Sequence, residues 1–271
     1  MSASTRKPIT PEAKSAALAP PAGRAAVPPI ESILLAAACV HTFDGNRPLT
    51  NASGFFFARG ERLFLVTSRH VLLDAPSKHF PDRIEIELHT DPDNLAQSTG
   101  FSIPLYRSRQ SIWRQGRDSA GEVDVAAIEI ERDALPPTAV YHAFTPGHLD
   151  GQEDPIEVGT SLLVIGFPLG FHDTLHHMPV VRHAVLASSF GLRFKGHGYF
   201  LTDARTHRGT SGAPVVMRLA DPPPPQRDLP WMLLGIHSAR LDVGGRDLTV
   251  DEALGLNVAW YADILLTLTE D

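Results

Sequence analysis

The chain reads as an all-β fold in two halves, and three observations carry that reading. Short runs rich in β-branched and aromatic residues recur along the 271 residues. Gly, Pro, Asn and Asp punctuate them, which marks turns rather than helical connections. A joint around Pro136 and Pro137, followed by a polar segment to Val158, divides the runs into two groups of similar size. Hydrophobic residues make up 43% of the sequence, ample for a buried core.

In chain order, residues 1–28 combine Ala and Pro with few aromatics. They cannot bury enough surface to offset their ordering entropy, so a disordered tail is expected there. Arg6, Lys7, Lys14 and Arg24 lie in that tail, but no apolar stretch follows them, unlike a secretory signal. Strands are expected over residues 33–42, 52–58, 62–67, 83–89 and 123–130, then over 161–167, 180–188, 199–203, 214–218, 231–237 and 256–259. The first of these has a distant likeness to a lipoprotein cleavage site ending at Cys39. Pro28, Pro29 and Glu31 stand where its long hydrophobic region would be, so a buried strand is the better reading. Residues 221–226, with four consecutive prolines, cannot donate to a sheet and are expected to form an exposed hairpin loop. Trp260, Ile264, Leu265 and Leu268 recur at helical spacing and predict a short terminal helix laid against the second half.

Charge and cysteine content exclude several classes. Lys and Arg number 24 against 31 Asp and Glu, a net charge of −7, which argues against nucleic acid or an anionic membrane surface as the main partner. The single Cys39 forbids an internal disulfide and is expected to be a buried core thiol; a reducing, cytoplasmic setting is the corresponding expectation. No run reaches the ~18 apolar residues that a membrane-spanning helix requires.

Three segments carry chemistry. Ser211 stands between Gly209-Thr210 and Gly212-Ala213-Pro214, where glycine permits the unusual φ/ψ values of a tight turn, and the N–H groups of Gly209 and Ser211 can converge on a developing oxyanion. His70 closes the apolar run 62–69, so a rigid imidazole emerges where a buried strand ends, as general-base work requires. Asp124 shares period-2 parity with Ala126, Ile128 and Ile130, on a face expected to be buried, with Glu129 and Glu131 outward. A carboxylate there needs a strong donor, and a histidine N–H is one. Each segment alone has a structural explanation, as turn, surface histidine or strand-opening Asp. Their joint occurrence in the order His, Asp, Ser, separated by 54 and 87 residues, places base and carboxylate in the first half and the nucleophile in the second.

Thr67-Ser68-Arg69-His70-Val71, Asp124-Val125-Ala126, Thr202-Asp203-Ala204 with Gly209 to Pro214, and Leu234-Gly235-Ile236-His237-Ser238 together resemble bacterial trypsin-like peptidase domains, including the high-temperature-requirement proteases and the glutamyl endopeptidases. The resemblance covers roughly residues 30–268. It implies a chymotrypsin-like double β-barrel over residues 29–271, with an N-barrel about 29–140 and a C-barrel about 155–271. It implies a serine endopeptidase acting on protein or peptide substrates without cofactor or metal, with His70, Asp124 and Ser211 as triad and Gly209 and Ser211 as oxyanion hole. Ser238 looks like the family serine that bonds the catalytic Asp, and the residues through Arg240 like the strand that pairs with substrate. Thr206 and His237 match the positions that bind an acidic side chain before the scissile bond in glutamyl endopeptidases, with Arg205 adjacent. Two departures stand out. Thr210 replaces the Asp or Asn before the nucleophile, which removes the ion pair with a new N-terminus that activates digestive zymogens, and Ala213 replaces a glycine. No peptide-binding domain is expected after the barrel, and an unidentified regulatory partner is the consequent expectation.

Competing readings are a catalytically silent protein-binding module on the same scaffold and an esterase with a Ser-first order, whose Gly-x-Ser-x-Gly elbow is missing here. His172, His176 and His177 have a zinc-like spacing, but flanking Pro168, Gly170 and Pro179 favour a surface loop.

Overall fold

Alternation within the apolar runs decides the architecture, because several strands bury both of their faces. The computed structural model describes residues 30–149, 156–240 and 255–270, and the expected N-terminal tail lies outside them. The first half holds β1 (Ala37–Asp44), β2 (Arg47–Arg59), β3 (Arg62–Thr67), a one-turn helix α1 (Arg69–Leu72), β4 (Arg83–His89), β5 (Ser98–Pro104), a small hairpin of β6 (Tyr106–Arg107) and β7 (Gln110–Ser111), β8 (Trp113–Asp118) and β9 (Gly121–Ile130). Apart from the hairpin, these strands form one antiparallel sheet in the order β5-β4-β1-β2-β3-β9-β8.

The second half holds β10 (Ser161–Gly166), β11 (Val180–Val185), β12 (Tyr199–Thr202), β13 (Pro214–Arg218), β14 (Trp231–Arg240), β15 (Asn257–Tyr261) and the terminal helix α2 (Ile264–Leu268). Its sheet runs β11-β10-β13-β14-β15-β12, and an antiparallel bridge between Leu186 and Thr202 joins the two end strands into a ring. The fold is the expected chymotrypsin-like pair of β-barrels.

Strand parity sorts the side chains into three cores. Leu63 and Leu65 of β3 with Ala126, Ile128 and Ile130 of β9 fill the first barrel. Phe200, Val215, Met217, Met232 and Leu234 fill the second. The alternate residues of the same strands, Phe64, Val66, Val123, Val125 and Ala127 from one side and Leu201, Val216, Leu233, Ile236 and Val258 from the other, form a third core between the barrels. Phe55 and Phe144 are fully buried there, ring edge to face at 5.6 Å. Burial of each such side chain contributes about 1.5–3 kcal/mol, so the barrels are fused rather than loosely docked.

Several expectations need correction. Residues 33–36 are not strand: Ser32–Leu35 forms a 3-10 turn and β1 starts at Ala37. Strands β5 to β8 carry too many polar residues and glycines to be read from β-propensity. Both faces of β9 are buried, not only the Asp124 face, because Val123, Val125 and Ala127 meet the second barrel. The terminal helix is only five residues long, Trp260 belongs to β15, and α2 packs on β8 and β9 of the first half, with Leu265 and Leu268 entering the core between the barrels. Gly116 of β8 makes room for Ile264 and Leu268. Arg59, Arg62 and Arg114 donate to the carbonyls of Leu266, Thr269 and Glu270, groups that a helix C-terminus leaves without intrahelical partners. The proline loop between β13 and β14 is exposed as expected, except that Gln226 turns inward and donates to the Gly147 carbonyl.

Candidate active site

His70 sits in α1, directly after β3, so the sheet fixes its backbone while its side chain remains 36% exposed at the seam between the barrels. Asp124 comes from β9, which pairs with β3. Its Oδ1 accepts the backbone N–H of His70 at 2.8 Å, and its Oδ2 lies 2.7 Å from His70 Nδ1. A carboxylate only accepts, so Nδ1 carries the proton and Nε2 is left as the base. Burial works against protonation of the imidazole, but the hydrogen bond and charge of Asp124, with Asp74 further off, outweigh it and hold His70 above its usual range. Burial likewise opposes ionisation of Asp124, and the bonds from His70 and Ser238 overcome it, holding the carboxyl below its ordinary range.

The third donor reaches Asp124 across the seam. Ser238 Oγ donates to Asp124 Oδ2 at 2.5 Å. The register of β14 on β15 slips between His237 and Ala239, and this bulge places Ser238 as the extra residue, aimed at the first barrel rather than into its own ladder.

Ser211 lies in the loop before β13. Gly209 and Gly212 flank it with φ of +89° and +86°. A Cβ on Gly209 would stand 2.6 Å from the Phe167 carbonyl oxygen, and one on Gly212 only 2.1 Å from that of Ser53, so both positions require glycine. The Arg208 carbonyl accepts from Leu169 N–H at 2.5 Å. Across a trans peptide the Gly209 N–H therefore points away from the 167–170 turn. Neither Gly209 N–H nor Ser211 N–H donates to a protein group among the described residues, which leaves both open to an anion. Ser211 Oγ itself donates to the Ser238 carbonyl at 2.9 Å, and it shares with His70 the lining of a cleft of about 570 Å³.

One residue that sequence reasoning missed organises this loop. Ser53, fully buried in β2 of the first barrel, donates from Oγ to the Gly209 carbonyl at 2.8 Å and accepts there from Phe167 N–H at 2.9 Å. Its own N–H donates to the Ser211 carbonyl at 2.9 Å, and its carbonyl accepts from Thr67 Oγ1 at 2.7 Å. The only sequence signal is a small polar residue inside the apolar run 52–58.

The remaining site residues are less uniformly arranged. Thr206 is buried and its hydroxyl donates to Asn257 Oδ1 at 2.5 Å, while Asn257 in turn donates to the Ala204 carbonyl. His237 is buried with Nδ1 unpartnered among the described residues, and burial, with some help from His70, pushes its pKa down to about 3, so the ring is neutral at physiological pH. Arg205 is exposed, Arg240 ends β14, and Thr210 is buried with its hydroxyl unpartnered among the described residues. Cys39 is a buried thiol whose pKa burial raises to about 12, which makes it a poor nucleophile. His172, His176 and His177 lie in the turn between β10 and β11. There His172 bonds the Gly170 carbonyl and His176 bonds Asp173, and among the described residues no group of three His, Cys, Asp or Glu could hold a metal. Also among them, no helix is long and apolar enough to cross a membrane.

Two barrels meeting at a His-Asp pair and a glycine-flanked serine define the class of two-barrel serine hydrolases. The chain belongs to the trypsin-like peptidase domain family, whose model matches residues 52–219 and so includes His70, Asp124 and Ser211. Among curated proteins none matches the sequence. In three dimensions the chain is similar to the serine endoprotease from Yersinia pestis, at 16% identity with a TM-score of 0.51 over 87% of this chain; it spans 62% of that protein's length. It is also similar to the active form of the Rv3671c protease from M. tuberculosis, at 14% identity with a TM-score of 0.46, over 93% of this chain and 92% of that one.

Proposed function

We propose that the protein is a serine endopeptidase in which Ser211 attacks a peptide carbonyl, His70 Nε2 takes the hydroxyl proton and returns it to the leaving amine, and Asp124 holds the imidazole in the required tautomer. The N–H groups of Gly209 and Ser211 stabilise the oxyanion, a contribution of about 3–4 kcal/mol per donor. The observation that carries this reading is the hydrogen-bonded series Ser238–Asp124–His70, which leaves Nε2 without a partner among the described residues in a residue that lines one cleft with Ser211. Catalysis requires Ser211 Oγ to turn from the Ser238 carbonyl to His70, a rotation about a single bond.

The reading extends to an acidic residue before the scissile bond. Neutral His237 occupies the position that the resemblance assigns to binding an acidic side chain and can donate a hydrogen bond to a carboxylate, and exposed Arg205, next to Thr206 in the chain, adds positive charge. Thr206 joins them by turning its hydroxyl from Asn257 to the substrate. The test is turnover of peptides that differ only in Glu or Gln before the cleaved bond: kcat/KM about tenfold higher for Glu is expected, falling towards parity in His237→Ala. Equal rates for the two peptides would contradict the preference.

One observation favours a second reading, a silent binding module: the Ser211 hydroxyl rests on Ser238 rather than on His70. A folded protein that binds peptides but is not modified by a serine-directed phosphonate would support it.

A further inference from the structure

The cleft that opens at Ser211 and His70 extends along the start of β2 and past the 74–79 turn, and its described lining includes none of Arg205, Thr206 or Ser238. On the proposed mechanism those three serve the acyl half of the substrate. The cleft is then where the residues after the scissile bond lie.

Its walls suit a peptide of one charge. Ala52 pairs with Val40 while Ser53 N–H turns the other way to Ser211, so alternation turns the N–H and C=O of Asn51 towards the cleft, and β3 pairs with β2 only from Phe55 onwards. Arg47, Lys78 and Arg208 line the same space, and Asp74 is the single carboxylate among the described lining residues. That carboxylate already accepts from Ser77 Oγ. Arg208 and Lys78 have no carboxylate partner among the described residues, and Arg47 has only Asp44, at 3.3 Å in an exposed pair. An adjoining space of about 420 Å³ shares Arg208 and adds no carboxylate. This cationic excess sits in a chain whose net charge is −7, so it is a local property of the cleft.

We propose that the leaving-group side of the cleft is a specificity site for acidic residues in the positions after the scissile bond, recognised by Arg47, Lys78 and Arg208. An extended peptide added beside Asn51 would run through the space that these three cations line together, which makes acidic segments rather than isolated acids the substrate class.

The inference rests on the peptidase reading for its direction, but binding to the Ser211→Ala protein tests it without turnover. Two labelled peptides share the sequence up to the target bond and carry Glu-Glu or Gln-Gln after it. The Glu-Glu peptide is expected to bind about tenfold more tightly, with the ratio falling towards one in the Arg47→Gln/Lys78→Gln variant and at about 0.5 M salt. Equal affinities, or a preference that survives the double substitution, would overturn the proposal. Phosphonate labelling of the wild type separates the two claims. Labelling without a Glu preference removes only the specificity site, and a Glu preference without labelling removes only the catalytic reading.

Discussion

The two barrels hold the proposed catalytic groups by different means. His70 and Asp124 belong to one barrel, where the β3–β9 pairing brings α1 beside β9 and two hydrogen bonds from His70 fix them together. Ser211 stands on a loop of positive-φ glycines in the other barrel, and its position depends on Ser53, which reaches across the seam to the carbonyls at both ends of Gly209–Ser211. The base is positioned locally and the nucleophile by the neighbouring domain. On the proposed mechanism, docking of the barrels is therefore part of the active site, and the inter-barrel core serves catalysis as well as stability.

The contrast can be sharpened from the local side first. Asp124→Asn removes the charge that lifts His70 and the acceptor that fixes its tautomer, and should lower kcat by about 10⁴-fold. In the parent protein kcat/KM should rise with pH as the proton leaves Nε2, with its midpoint above the usual histidine value because Asp124 raises that pKa. In the variant burial prevails, and the residual activity should have its acid limb at lower pH. A midpoint that does not move would separate His70 from Asp124.

The seam is probed next. Phe144→Ala empties a fully buried site between the barrels and should cost about 3–5 kcal/mol in denaturant unfolding. A loss under about 1 kcal/mol would mean that the barrels are held mainly elsewhere. Ser53→Ala leaves the fold's apolar contacts intact but frees the Gly209 carbonyl and Phe167 N–H. It should lower kcat by about 10²-fold with little change in KM, since the oxyanion donors act in the transition state. A change confined to KM would assign Ser53 to substrate binding instead.

What was legible in the sequence follows the same division. Runs with strong β-propensity and clear bounds, such as β3, β4 and β13, are read to the residue, and His70, Asp124 and Ser211 stand out because they respectively follow, interrupt and precede such a run. Strands β5 to β8 were invisible because pairing partners, not propensity, hold polar residues in the ladder. The double burial of β9 and the docking of α2 on the first barrel depend on which half faces which, and local periodicity carries no such information. Ser53 escaped notice because its role lies in a contact 156 residues away, with Gly209.

The most direct test is labelling of the purified protein with a fluorophosphonate at neutral pH, beside Ser211→Ala and His70→Ala. Covalent modification of the wild type, abolished in both variants, is the result expected of a serine activated across the seam. Wild-type protein that is folded and unlabelled, or label that persists in Ser211→Ala, would contradict the account.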